Sequence, residues 1–549
     1  MSSASDPVPG RSPAVAPSEG AADDIARSAR RGVLYISLAK AWFLLAGLFL
    51  PLVLPRVLAT ATFGMWTLVG GWFSPLNNVI VTATIQAVSK FAAGGSVEAA
   101  KAAALRMNVL VSGGVAAFFF LVAPAIAHFE HDAELIPLLR VSSLIVLLYG
   151  FYAVFVGAAN GARQFHKQSG LDILFATLRV GLVLAAAVTW HATMPAIWGW
   201  VLAAALILIV AVLWVGLPRR VEASGAAATV TVGQMLGFIR WLFVYHAALN
   251  ALMFLDGWWL KRLCTEAMAS TAQAFGSTAA IKQAVDALIG VYGGAQTVAR
   301  LPYQLMLVGT FVAFPLLSLP AVQNDLSRAR DYVVATLRFS LVASIGMVVA
   351  LGARPEATMS LLYKAEYVTG APALAILLCA YACFALSTII GTITNALGHT
   401  RSTAFLGLTT VIATSLAVYT SIQGALSAGV QPLRGAAIGL LIGMGGGLLM
   451  NLIYLWIKLR VTLPITSLVR VALALAVGLT IGRLWPAVGH GFLGSKLGTL
   501  LASGICLLSY LLVLIATREL SPREILSQRR ARPVSQGGAG EGEGAPAAG

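Results

Sequence analysis

From Gly32 to Thr517 apolar residues dominate the chain, and short polar gaps divide them into about fourteen stretches of the ~20 residues a helix needs to cross a bilayer. The pattern predicts an all-α, polytopic membrane protein with spans near 32–58, 64–92, 102–127, 135–161, 170–191, 193–217, 234–262, 287–318, 331–353, 369–397, 402–424, 432–459, 463–486 and 494–516. The longest interruption, Leu263 to Asp286, is mildly polar and predicts a short amphipathic helix on the outer side. Three groups of polar residues recur inside the stretches at four-residue spacing, which puts each group on one helix face. They are Asn78, Thr82, Gln86 and Lys90 in the second span, His246 and Asn250 in the seventh, and Gln296, Arg300 and Gln304 in the eighth.

Composition agrees with that class: 58% of residues are hydrophobic and 11% charged, and the mean hydropathy is +0.85. A net charge of +16 would suit a nucleic-acid binder, but the basic residues cluster in alternate loops, so no nucleic-acid partner is expected. Arg27, Arg30 and Arg31 precede the first span, Lys101 and Arg106 follow the second, Arg163 and Lys167 the fourth, and Arg219 and Arg220 the sixth. The intervening loops are nearly uncharged or carry acids, as between His128 and Glu134. Both termini are therefore predicted on the cytoplasmic side of the membrane, the first as a Pro/Ser/Ala-rich tail without the basic leader of a signal peptide. Arg529, Arg530 and Arg532 open a Gly/Ala/Glu-rich tail, where anionic headgroups would favour them. The four cysteines predict neither a disulfide framework nor a metal centre, and no cofactor is expected.

A weak internal repeat runs through the chain. Phe63-Gly-Met-Trp opens the second span and Ile289-Gly-Val-Tyr the eighth, while Asn160-Gly-Ala-Arg closes the fourth and Asn395-Ala-Leu-Gly the tenth. Equivalent segments lie about six spans apart, so the two copies share one orientation, as in transporters that hold substrate between parallel repeats. The expected division is a cytoplasmic tail over 1–31, an N-terminal six-helix bundle over 32–217, a cytoplasmic linker over 218–233 and a second six-helix bundle over 234–459. Two additional helices over 460–517 and a cytoplasmic tail over 518–549 complete it.

Four patches sharpen this picture: Leu58-Ala-Thr-Ala-Thr-Phe-Gly-Met-Trp, Ile85-Gln-Ala-Val-Ser-Lys-Phe-Ala-Ala, Tyr292-Gly-Gly-Ala-Gln-Thr-Val-Ala-Arg-Leu-Pro with Phe314-Pro-Leu-Leu-Ser, and Leu362-Tyr-Lys-Ala-Glu-Tyr-Val-Thr-Gly-Ala-Pro. In this order they resemble the Wzx-type polysaccharide flippases of the multidrug, oligosaccharidyl-lipid and polysaccharide exporter superfamily, from the first span to about the twelfth. The resemblance implies a flippase that moves an undecaprenyl-pyrophosphate-linked sugar from the inner to the outer leaflet for surface polysaccharide synthesis. Its partners would be that lipid-linked sugar, membrane lipids, and polysaccharide polymerase and export machinery.

An ionised side chain near the bilayer centre costs about 2.5–3.5 kcal/mol on the insertion scale, so it usually faces a cavity or a partner. Lys40 lies ~12 Å into the first span at 1.5 Å per residue. Arg179 is similarly deep in the fifth, and Arg300 falls close to the midplane of the eighth. A pyrophosphate can cross only where cations and donors replace its water, and arginine grips phosphate with parallel hydrogen bonds. The candidate substrate site is therefore Arg300, Lys40, Arg179, Gln296, Gln304, Asn78, Gln86, His246 and Asn250, with Tyr149, Tyr152 and Tyr303 as sugar-stacking candidates. The alternative for every polar stripe is plain interhelical hydrogen bonding. Asp256 is a weak candidate for ion coupling, weighed against an ion pair with Lys261 or Arg262. Scarce buried acids speak against a cation-coupled drug antiporter of the same superfamily, whereas a lipid II flippase would differ only in cargo. A membrane enzyme would need a nucleophile beside a base, or a larger loop than Leu263 to Asp286, and none is found.

Overall fold

The computed structural model describes residues 41–43, 45–219, 230–270, 277–306, 326–462, 464–484 and 492–520, and its regular elements are all helical. They are α1 (Ala41–Val57), α2 (Thr60–Ala93), α3 (Val97–Phe129), α4 (Leu135–Gly161), α5 (Phe165–Trp190), α6 (Thr193–Val215), α7 (Val232–Leu252) and α8 (Leu255–Ser270). There follow α9 (Thr278–Ala299), α10 (Leu326–Gly352), the short α11 (Pro355–Leu362), α12 (Ala371–Ala396), α13 (Thr400–Ser427), α14 (Pro432–Leu459), α15 (Ile465–Leu484) and α16 (Phe492–Ala516). Eleven of the described helices are long and apolar enough to span a bilayer, and α1, α2 and α9 occupy the remaining positions of the expected fourteen. Helices suit this solvent because they satisfy the backbone internally where no water can. Polar caps finish the ends that need them. Ser96 Oγ accepts from Ala99 N at 3.3 Å, and Thr231 and Gln234 form a reciprocal capping box at the start of α7.

The helices gather into two lobes. In the first, α2, α3 and α4 pack together and α4 carries α5 and α6; in the second, α12 to α14 pack with α7, α8 and α10. The pair α15–α16 lies against α10, and Glu519 fastens it there by accepting from Arg338 Nε at 3.0 Å and Arg470 Nη1 at 3.1 Å. Contact between the lobes runs mainly along α2, which meets α9 near its own start and α7 further on. The α2/α9 crossing joins the equivalent glycines of the repeat. A Cβ on Gly64 would stand 1.8 Å from Asp286 O, and one on Gly290 would stand 2.2 Å from Thr60 O, so no side chain fits at either position. We call this the crossing end.

Two expectations are corrected. Leu263 to Asp286 is not an exposed loop with its own short helix, because α8 runs on to Ser270 and α9 begins at Thr278; residues 271–276 lie outside the described set. The seventh span, expected unbroken over 234–262, is interrupted at Met253 and Phe254, where tight turns replace the helical ladder: Met253 N donates to Asn250 O at 3.2 Å and Phe254 N to Ala251 O at 3.0 Å. The eighth span pauses similarly at Arg300, a turn residue between Ala299 and the helical Leu301.

Candidate substrate site

The two interruptions meet, and a polar network fills the junction. Arg300 donates through one Nη to Met253 O, the carbonyl freed by the break in the seventh span, and to Gln296 Oε1 at 3.2 Å. Its Nε donates to Tyr381 Oη at 3.1 Å, and Tyr381 donates to Met253 O at 3.3 Å. The guanidinium stacks over the Phe254 ring, 4.5 Å from its centroid. Gln296 Nε2 and Tyr292 Oη donate in turn to Asp256 Oδ2, at 2.6 and 2.7 Å, while Asp256 Oδ1 is buried without a partner. The four-residue spacing thus makes the Gln296–Arg300 bond. It brings Gln304 into no side-chain bond through its Oε1, which is buried and unpaired.

Asp256 does not pair with Lys261 or Arg262. Five residues correspond to about 140° around a helix, so the two side chains leave α8 in different directions, that of Asp256 toward Tyr292 and Gln296 of α9. Lys261 instead lies 1% exposed at the crossing end, 3.2 Å from Asp132 in the α3–α4 loop and in short contact with Asp286. Lys282 extends this cluster to Glu134 at 3.0 Å and Asp286 at 3.0 Å, and Arg262 donates to Phe129 O at 3.3 Å. Sequence reasoning missed this interlobe cluster. Its trace was the acidic His128 to Glu134 loop, whose complement is Lys261 and Lys282. Beside it Trp72 stacks on Trp258 with centroids 4.3 Å apart and donates to Glu130 Oε1 at 2.9 Å. Burial pushes the Glu130 carboxyl up to about 8, outweighing the Trp72 bond and the charges of Lys261 and Arg262.

In the first lobe Arg179 is enclosed by rings rather than acceptors. Its guanidinium carbon lies 5.2 Å from the Trp200 centroid and 5.7 Å from those of Phe43 and Phe175, and its Nε is buried without a partner. Tyr149 and Tyr152 stack on each other at 5.2 Å and Tyr149 on Phe175 at 4.4 Å, so both tyrosines belong to this aromatic wall. Tyr303 packs on Phe384 in the other lobe, at 4.8 Å. Arg179 and Arg300 share no partner among the described residues, yet both sit at one level of α2: Phe73 meets Trp200 on one face, and Gly71 stands against Phe254 on another.

The stripe on α2 runs along the seam between lobes. Asn78 and Gln86 are exposed and Thr82 half-buried, and Asn78 Nδ2 donates to Asn250 Oδ1 across the seam at 3.0 Å. Asn250 donates to His246 O at 2.9 Å, and Lys90 at the far end stands 4.0 Å over the Phe238 ring. Lys40 lies outside the described residues. Half-exposed donors along a seam, flanked by two membrane-depth arginines, can replace the hydration of a polar anion.

With eleven of the described helices long and apolar enough to cross a bilayer, this fold is that of a multi-pass membrane protein. Residues 53–256 match the polysaccharide biosynthesis protein family. Among solved structures, a lipid II flippase MurJ in an inward closed conformation is 14% identical with a TM-score of 0.67, over 89% of this chain and 99% of that one. A multidrug resistance MATE family transporter of the MOP superfamily, outward-facing, is 12% identical with a TM-score of 0.54, over 78% and 95%. A MOP superfamily transporter from Pyrococcus furiosus is 12% identical at 0.52, over 78% and 95%. A comparison with curated proteins finds no match. The chain shares the fold of these structures, and with the family match over residues 53–256 the resemblance carried by the four sequence patches is borne out.

Proposed function

We propose that the chain is a flippase that carries an undecaprenyl-pyrophosphate-linked oligosaccharide across the cytoplasmic membrane for surface polysaccharide synthesis, by rocking its two bundles around a cationic cavity. The observation that carries this reading is Arg179: a guanidinium at membrane depth, walled by rings, with a buried donor that nothing among the described residues accepts. A buried donor without an acceptor costs about 1–3 kcal/mol, and a phosphate oxygen is the acceptor it lacks. Asn78, Gln86, His246 and Asn250 would meet sugar hydroxyls along the seam, and Lys40 would add charge from the first span. Arg300 and Gln296 hold the broken helices on the opposite wall, with Gln304 one turn further along. In this reading both termini are cytoplasmic, and the crossing end faces outward with its ion cluster closing the outer route.

The decisive experiment reconstitutes the full chain in liposomes with a fluorescent undecaprenyl-pyrophosphate-linked oligosaccharide and measures its appearance in the outer leaflet. Lipid II and a lipophilic drug cation serve as rival cargoes. Movement of the oligosaccharide lipid, reduced in Arg179→Ala, is expected. Exchange of the drug cation alone would overturn the reading. Orientation is checked in cells: external thiol reagent should label Ser277→Cys and spare Ser224→Cys, and the reverse pattern would invert the topology.

A further inference from the structure

The junction between the lobes holds an acid that the substrate site does not use. Glu130 is the C-cap of α3 in the first lobe, and it is fully buried. Its Oε1 accepts from Trp72 Nε1, while its Oε2 finds no donor. The side chains around it are the ones that join the lobes. Trp72 of α2 stacks on Trp258 of α8, whose own Nε1 is also buried without a partner. Just before Glu130 in the chain, Phe129 packs edge-on against Trp259 at 5.7 Å and lies under the Arg262 guanidinium at 4.6 Å. Just after it, Asp132 meets Lys261 at 3.2 Å and Lys282 at 3.4 Å. The charged groups acting on Glu130 are Lys261 and Arg262 of α8 and Asp132 of its own loop. Lys282 and Asp286 of α9, Glu134, and the His131–Glu266 pair at 3.2 Å complete the cluster.

Charged side chains line both sides of this junction, so water can replace their partners when the sides part, and Glu130 is then hydrated. A carboxyl enclosed with one oxygen unpaired is stable as the neutral acid, and that oxygen can carry the proton. Burial is the largest influence on the group and raises it from 4.5 to about 8. We propose that Glu130 is a proton switch on the junction: as the neutral acid it lets the lobes close over it at the crossing end, and its ionisation drives them apart. The inference rests on the proposed rocking of the two bundles but not on their cargo. In the parted form the hydrated carboxyl releases its proton near the ordinary value of about 4.5, whereas the closed form holds it up to about 8. Closure is therefore fully favoured below about 4.5 and weakens as pH rises toward about 8, by about tenfold per pH unit.

The test measures the distance between spin labels on Ala133→Cys in the α3–α4 loop and Ala279→Cys at the start of α9, both exposed positions. The full chain is used, with its four native cysteines replaced by alanine. Nanodiscs present one pH to both faces, so the result does not depend on orientation. No substrate is present, so failure here is distinguishable from failure of the flippase reading. The labelled protein should pass from a short to a longer separation between pH 6 and pH 7.5, the ratio of the two populations changing on the order of tenfold. Glu130→Gln keeps an acceptor for Trp72 and cannot ionise, so it should stay at the short separation at both pH values. His131→Asn removes the other group that can gain charge in mild acid, and it should respond as the parent does. Asp132→Asn takes a partner from Lys261 and should favour the longer separation at both pH values while keeping the response, which ties the labels to the junction independently of Glu130→Gln. A pH response that survives in Glu130→Gln, that disappears in His131→Asn, or that is absent from the parent would overturn the proposal.

Discussion

Arg179 and Arg300 are the same residue type at the same level of α2, and the protein treats them in opposite ways. Arg300 is spent on the protein: a helix-break carbonyl, Gln296 and Tyr381 take its donors, and Asp256 lies one residue further along the network. Arg179 is caged by Phe43, Phe175 and Trp200 and keeps a buried donor unmet. An arginine at membrane depth whose Nε and one Nη reach acceptors in the protein reads as architecture, and one whose buried Nε reaches none among the described residues suits a site awaiting an anion. Depth alone does not separate these roles.

The largest effect expected is on folding. Arg300→Ala would leave Met253 O with only the 3.3 Å bond from Tyr381 and Asp256 without its nearby cation, and stranding a buried charge costs about 3–5 kcal/mol. The amount of folded protein in the membrane should fall sharply, while transport per folded molecule stays near native and Arg300→Lys recovers part of the folded yield. Normal yield with abolished transport would instead move Arg300 into the substrate's first contacts and erase the contrast. Arg179→Ala should do the reverse, with native yield and transport reduced about 10- to 100-fold, the worth of one hydrogen bond to a charged group. Arg179→Lys should keep part of the rate, because charge survives but the fork is lost. Unaltered transport in a stably inserted Arg179→Glu variant would remove the cationic cavity from the mechanism.

Much of the fold was legible because bilayer thickness sets helix length, so apolar run length alone places about fourteen spans. The Phe63-Gly and Ile289-Gly signatures also marked a physical event: Gly64 and Gly290 are where the lobes touch backbone to backbone. The interruption at Met253 and Phe254 was not legible, since no proline marks it and the residues are ordinary helix formers. What fixes it is the acceptor Arg300 needs, about fifty residues away in the chain. Lys261 was likewise misplaced beside Asp256, because its partners Asp132 and Asp286 come from other elements and sequence distance carries no angle between them. The polar stripe on α2 followed from four-residue spacing, but only the structure separates the exposed Asn78 and Gln86 from the orphaned Gln304.

Asp256→Asn sharpens the bonded side of the comparison at smaller amplitude. The amide still offers one oxygen to Tyr292 and Gln296 but loses the charge facing Arg300, a change of about 1.5–3 kcal/mol for a charged hydrogen bond. Membrane yield should drop while the sodium and pH dependence of transport per folded molecule stays as in native protein. A well-folded variant that has lost only its ion dependence would make Asp256 a coupling site.

The smallest effect concerns another orphan, Glu130, which has an escape Arg179 lacks. Glu130 Oε2 is buried without a partner, and burial raises the carboxyl from 4.5 to about 8, so at neutral pH it is held protonated, whereas an arginine cannot shed its charge. Below about 4.5 the folded and unfolded chains both carry the proton, and the group contributes its full stability. As pH rises toward about 8 the unfolded chain releases the proton and the folded chain retains it, so stability falls through that window by about 1.4 kcal/mol per pH unit. Glu130→Gln cannot titrate and still offers an acceptor to Trp72. Thermal unfolding in detergent at pH 6 and pH 7 should therefore show native protein losing stability relative to Glu130→Gln as pH increases. An identical pH response in the two proteins would mean that Glu130 is solvated or ion-paired, and that a buried orphan in this fold is no guide to an unmet charge.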